Sequence, residues 1–263
     1  MTLLALGNVT RRYAGLVAVD RVDLDLPTGG VHALIGPNGA GKTTLFDLIS
    51  GLVAPSAGRI VLDGEDVTAL PADARARRGL ARTFQTIRLF GAMTVLENVL
   101  TGLHPRLSAP LPAIVLHLAE VRREERNAAA RAREALALVG LERRAGERAA
   151  VLSYGEGRRL EIARAMAGAP RLLLLDEPAA GLNPAETVAL GSLIRTIVAA
   201  GTTVLLVEHD MAFVMGLAAT VTVLNFGRRI FHGPPAAARS DPDVVAAYLG
   251  AKVAARLAAS PST

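Results

Sequence analysis

Cysteine is absent from the 263 residues, and so is tryptophan. The first absence removes disulfides, thiolate metal sites and cysteine nucleophiles, and fits a reducing cytoplasm. The second, with aromatic residues at only 3%, leaves few platforms for stacking bases, so no nucleic-acid partner is expected despite a net charge of +5. Long apolar runs are missing too. The chain is 51% hydrophobic, with a mean hydropathy of +0.36, yet no stretch approaches the ~20 apolar residues of a membrane helix. The nearest, Ala109 to Ala119, carries Pro110, Pro112 and His117. Met1 to Val9 lack the basic start and long apolar core of a signal peptide, so export is not expected.

Lysine is scarce as well. Lys42 and Lys252 are the only two, and the rest of the positive charge is arginine. Lys42 stands in Gly36-Pro37-Asn38-Gly39-Ala40-Gly41-Lys42-Thr43-Thr44, after the apolar run Val31 to Ile35 and before a helical pattern. Glycines at 36, 39 and 41 let the backbone curl so that N–H groups converge on an anion, and the following helix adds its positive end. A slim ammonium at 42 suits the inside of such a loop better than a planar guanidinium. The spacing G-x-x-x-x-G-K-T between strand and helix predicts a nucleoside triphosphate site, with Lys42 on the β- and γ-phosphates and the Thr43 hydroxyl on Mg²⁺.

The rest of the pattern is α/β. Strands are expected over Leu3 to Val9, Val22 to Leu26, Val31 to Ile35 and Gly58 to Gly64, with a helix from Lys42 to Ser50 ended by Gly51. From about Phe90 to about Pro170 the composition shifts to Ala, Leu, Arg and Glu at helical spacing, which predicts an inserted helical subdomain. Arginines and glutamates between Glu120 and Arg133 read as a solvated helix face. Buried strands are expected at Leu172 to Leu175 and Thr203 to Val207, on either side of a helix from Pro184 to Ala200, and two short strands around Asn225-Phe226-Gly227. The expected organisation is one nucleotide-binding domain over residues 1–250, its helical insert at about 90–170, and a tail over 251–263 that frays after Ala258.

Four apolar residues run into Asp176-Glu177, placing two carboxylates at the end of a buried strand: Asp176 to hold Mg²⁺ and Glu177 to polarise an attacking water. Leu152-Ser153-Tyr154-Gly155-Glu156, before a helical run, then resembles the signature motif of ATP-binding cassette (ABC) proteins, whose usual form is Leu-Ser-Gly-Gly-Gln. The resemblance covers almost the whole chain. It implies an α/β P-loop NTPase core with an N-terminal antiparallel β subdomain and an inserted α-helical subdomain. It also implies ATP and Mg²⁺ as ligands, with Tyr13 stacking on adenine, Gln85 sensing Mg²⁺ and γ-phosphate, His209 contacting γ-phosphate, and residues 152 to 156 closing on ATP held by a partner.

The stretches Ala81 to Gln85, Arg88 to Phe90, Thr94 to Val99, Leu160 to Ala165, Pro178 to Pro184 and Ala247 to Gly250 look like the larger ATP-binding subunit of branched-chain amino acid importers. That resemblance implies an ATP-hydrolysing subunit lying on the inner, cytoplasmic face of the cell membrane. Its implied partners are a second cassette subunit, two transmembrane permeases and, indirectly, an external solute-binding protein. A lipopolysaccharide exporter's ATPase subunit shares much of this layout and is the alternative. A soluble cassette outside transport, or a simple P-loop kinase or GTPase, fits less well. Two positions depart from the pattern: Glu156 stands where most cassettes have Gln, and Gly157 where this group usually has Gln. Glycine in a first helical turn costs up to ~1 kcal/mol. On that ground alone Gly157→Gln is expected to raise activity in the assembled complex, by roughly fivefold at most.

Overall fold

The alternation of apolar and acidic residues at 22–26 buries one face of a strand and leaves the other in water. In the computed structural model, which describes residues 1–104 and 119–248, this segment is part of β2 (Leu16–Pro27), antiparallel to β1 (Thr2–Tyr13). Val22, Leu24 and Leu26 are buried while Asp23 and Asp25 are exposed. Next come β3 (Val31–Ile35), buried along its whole length, α1 (Lys42–Ser50), β4 (Ala57–Leu62) and the two-residue β5 (Glu65–Asp66). Asp63 and Gly64 both take positive φ, 52° and 82°, the geometry that joins two strands in a two-residue hairpin.

The chain divides into two units, Met1–Ala72 with Thr203–Thr263, and Asp73–Thr202. In the second unit, α2 (Ala72–Arg77) leads to β6 (Leu80–Arg82) and α3 (Val95–Thr101). The helical region then holds α4 (Ala119–Leu138) and α5 (Tyr154–Met166), which pack on each other and on α3. Between α4 and α5 lie only short 3₁₀ turns. Strand β7 (Leu172–Asp176) is buried throughout and parallel to β6, and α6 (Pro184–Ala199) follows, capped by Asn183 with proline in its first turn.

The chain returns to the first unit with β8 (Thr203–Val207), α7 (Met211–Leu217), β9 (Thr220–Asn225), β10 (Arg228–Gly233) and α8 (Pro235–Ser240). Here β3 pairs in parallel with both β8 and β9, and β10 closes antiparallel on β9. The other sheet of this unit, β2-β1-β4-β5, is antiparallel. Both agree with the expected architecture. The interrupted apolar run at 109–118 and the frayed end after Ala258 lie outside the described residues.

Candidate functional site

In the first unit the segment Gly36 to Gly41 joins β3 to α1, so parallel sheet delivers it to the positive end of a helix. Gly41 takes φ 98°, and a Cβ there would collide with the carbonyl of Ala18. A Cβ on Gly36 would collide with the carbonyl of Leu224. The turn between β9 and β10 holds the loop from one side, since Gly227 N–H donates to the Ala40 carbonyl at 3.0 Å. No side chain caps α1 and its first turn has no acid. The ammonium of Lys42 folds over its own loop, donating to the carbonyls of Gly36 at 2.8 Å and Pro37 at 3.0 Å. This is a concave run of backbone with a cation held across it, the donor set a polyphosphate needs.

Tyr13 ends β1, is 40% exposed, and carries the Arg11 guanidinium 4.5 Å from its ring centre. His209 lies just beyond β8 with its side chain two-thirds exposed, beside the buried carboxylate of Glu208, which accepts the His209 N–H at 3.1 Å. Sequence reasoning passed over the place of Tyr248 beside this loop: its half-buried phenol lies near the Gly36 backbone, and burial pushes its pKa up. His32 is a structural residue, bridging Thr220 and the Gly29 carbonyl.

In the second unit β7 ends at Asp176, and Glu177 follows in left-handed backbone at φ 45°. Such a conformation costs a non-glycine residue about 1–3 kcal/mol and collects at functional sites. Both acids are engaged by the segment after β6 or by β6 itself. Arg82 donates to Asp176 at 3.0 Å, with each side chain under a tenth exposed, and the Gln85 amide donates to Glu177 at 2.8 Å. The carboxylate of Asp176 therefore already faces positive charge. Its oxygens are hard donors of the kind Mg²⁺ takes.

Ser153 is the N-cap of α5. Its hydroxyl accepts the Glu156 N–H at 3.3 Å, and Glu156 returns a carboxylate to the Ser153 N–H at 2.9 Å, a full capping box. Arg144 also reaches Glu156, and this guanidinium, with the Ser153 N–H, pulls the Glu156 carboxyl down to about 2 from its ordinary 4.5. A group depressed in the folded state stabilises above its unfolded pKa and loses that contribution as pH falls. Wild type is therefore expected to melt above Glu156→Gln at neutral pH, with the gap shrinking between about pH 4.5 and 2. A gap that does not change with pH would show that the ion pair contributes nothing.

Tyr154 departs from a bare glycine at its position and uses its side chain: its hydroxyl donates to the Ala180 carbonyl at 3.1 Å, and its ring lies on Gly181. Leu152 and Tyr154 line a groove of about 400 Å³ with Gln85, Ile87, Leu89 and Gly157. Gly157 is buried, and a Cβ there would meet Leu89 at 3.6 Å and Ile87 at 3.8 Å. A side chain at 157 would thus extend along this groove at ordinary contact distance, which helix propensity alone does not register.

Comparison with known proteins follows the same lines. Residues 19–180 match the family model described as ABC transporter, and residues 228–254 match one described as branched-chain amino acid ATP-binding cassette transporter. The chain is 45% identical over 249 residues to the high-affinity branched-chain amino acid transport ATP-binding protein LivG of Escherichia coli, covering 94% of this chain and 98% of that one. It is 38% identical to the lipopolysaccharide export system ATP-binding protein LptB of Acidithiobacillus ferridurans, covering 94% and 97%. The crystal structure of an ABC transporter's ATP-binding cassette in its ADP conformation superposes with a TM-score of 0.83 at 30% identity, over 95% of this chain and 99% of the other. The chain belongs to the ABC transporter family, as one of its ATP-binding cassettes.

Proposed function

We propose that this chain hydrolyses ATP to power uptake of branched-chain or related amino acids across the cytoplasmic membrane. The observation that carries this reading is the likeness to LivG over nearly the full length of both chains. The match of residues 228–254 to the branched-chain model and the lower identity to LptB set it above lipopolysaccharide export. The single domain over 1–250 with its insert and tail, and the place on the inner membrane face, belong to the same reading. No helix among the described residues is long and apolar enough to cross a membrane, so the membrane path would come from two permeases.

In this mechanism the backbone of Gly36 to Thr44 and the Lys42 ammonium neutralise the β- and γ-phosphates, Tyr13 stacks on adenine, and Glu177 orients and polarises the attacking water. His209 donates to the γ-phosphate. Thr43, Asp176 and Gln85 would hold Mg²⁺, which would supply neutralisation of the phosphate charge. Leu152 to Glu156 act on ATP held by a second cassette, so each chain supplies half of each site.

The groove over Gln85 to Leu89 is, in this reading, where a permease segment docks. Gly157→Gln is expected to leave the melting temperature of the isolated chain unchanged or slightly higher, and to lower ATPase activity in the assembled transporter, because the new side chain occupies the groove. An increase in the complex would restore the propensity argument. The reading as a whole is tested by purifying the chain with its membrane partners and measuring whether a branched-chain amino acid stimulates ATP turnover; stimulation by a lipopolysaccharide substrate instead would select the exporter.

A further inference from the structure

Helix α5 carries two charged side chains on its buried side. Arg158 and Glu161, one turn apart, are each about 1% exposed and are joined at 2.8 Å. Both also reach out of the helix to the stretch after β6. Arg158 donates to the carbonyls of Phe84 and Gln85, each at 2.9 Å, and Glu161 accepts the Phe84 N–H at 3.4 Å. One turn later Arg164 donates to the Arg88 carbonyl at 2.6 Å.

Residues 84–88 belong to no regular helix or strand, so side chains from α5 supply backbone partners that a ladder would otherwise provide. On the other side of the same stretch, the Gln85 side chain bonds Glu177. An ion pair buried this deeply is weak as a source of stability, since an apolar pair of similar size often does as well. Its hydrogen bonds to two successive carbonyls give it a directional task instead.

We infer that Arg158 and Glu161 are positioning residues: they clamp the backbone of Phe84 and Gln85 to the helix that carries Ser153, so that the signature and the Gln85 side chain move as one body. The catalytic consequence rests on the proposed roles of Gln85 and Glu177. The clamp itself does not.

The test uses the full-length chain in four variants: Arg158→Met/Glu161→Leu, Arg158→Met, Arg158→Lys and, as a control, Glu177→Gln. Melting temperature, hydrogen exchange of the amides at 84–88, and kcat and KM for ATP are measured on each. The double variant removes both charges and keeps the volume. It should melt below wild type, because the Phe84 and Gln85 carbonyls and the Phe84 N–H lose their partners, but no lower than a variant that keeps one of the two charges; exchange at 84–88 should quicken by about tenfold or more and kcat should fall by about tenfold with KM little changed, as expected when a reacting group is misplaced rather than lost. Arg158→Met alone should melt lower, because it strands a buried carboxylate. Arg158→Lys should give intermediate exchange, since an ammonium cannot span two carbonyls in a fixed fork. Wild-type protection of 84–88 in the double variant, or in Arg158→Lys should the double variant not fold, overturns the clamp. Faster exchange at 84–88 in the clamp variants, with Glu177→Gln turning over normally, would keep the clamp and overturn the catalytic reading.

Discussion

Glu177→Gln is expected to bind ATP as the wild type does and to hydrolyse it at least ~100-fold more slowly, the loss typical of removing a general base. The amide keeps the size and planarity of the carboxylate but cannot take up a proton from water. In the structure it can still be reached by the Gln85 side chain, so the local geometry has a partner to retain. With hydrolysis stalled, the ATP-bound assembly of two cassettes should accumulate, visible as a larger species in the presence of ATP and Mg²⁺. Turnover at the wild-type rate would move the catalytic role to another residue.

The second large effect is expected at Lys42. Lys42→Ala removes the cation folded over the phosphate loop, together with its bonds to the Gly36 and Pro37 carbonyls. The loop itself is held by other means: the contact of Gly227 with Ala40 and the close approaches at Gly36 and Gly41 do not involve the lysine. The variant should therefore fold and melt near wild type while nucleotide-dependent activity falls by ~100-fold or more, because the developing phosphate charge loses its side-chain cation. Near-normal turnover would remove this loop from the active site.

What could be read in the sequence was whatever is contiguous. The phosphate loop, the acids closing a run of four leucines, and the signature segment each carry their chemistry within nine residues, and local spacing suffices to place them on strand ends and helix starts. The alternation at 22–26 and the uninterrupted apolar runs at 172–175 and 203–207 announced half-buried and fully buried strands for the same reason. What escaped were pairings between distant positions. Arg82 with Asp176 and Arg158 with Phe84 and Gln85 are 94, 74 and 73 residues apart, and nothing in the local pattern says that these arginines face inward. Charged helix positions ordinarily face water, and Arg158 and Glu161 are exceptions that local spacing does not mark. A signal was present, though unread: both sit among Leu160, Ile162 and Ala163, on a helix whose buried side is crowded. At Gly157 the intrinsic cost to the helix was visible in the sequence and the groove beside it was not.

The central claim is that ATP hydrolysis at Glu177 drives amino-acid uptake, and the most direct measurement is uptake of labelled leucine, isoleucine and valine by cells from which this chain has been removed. Uptake should fall on removal, return with the wild-type chain and stay low with Glu177→Gln made at the same level. Uptake that is unchanged by removal, or that Glu177→Gln restores as well as the wild type, would contradict it.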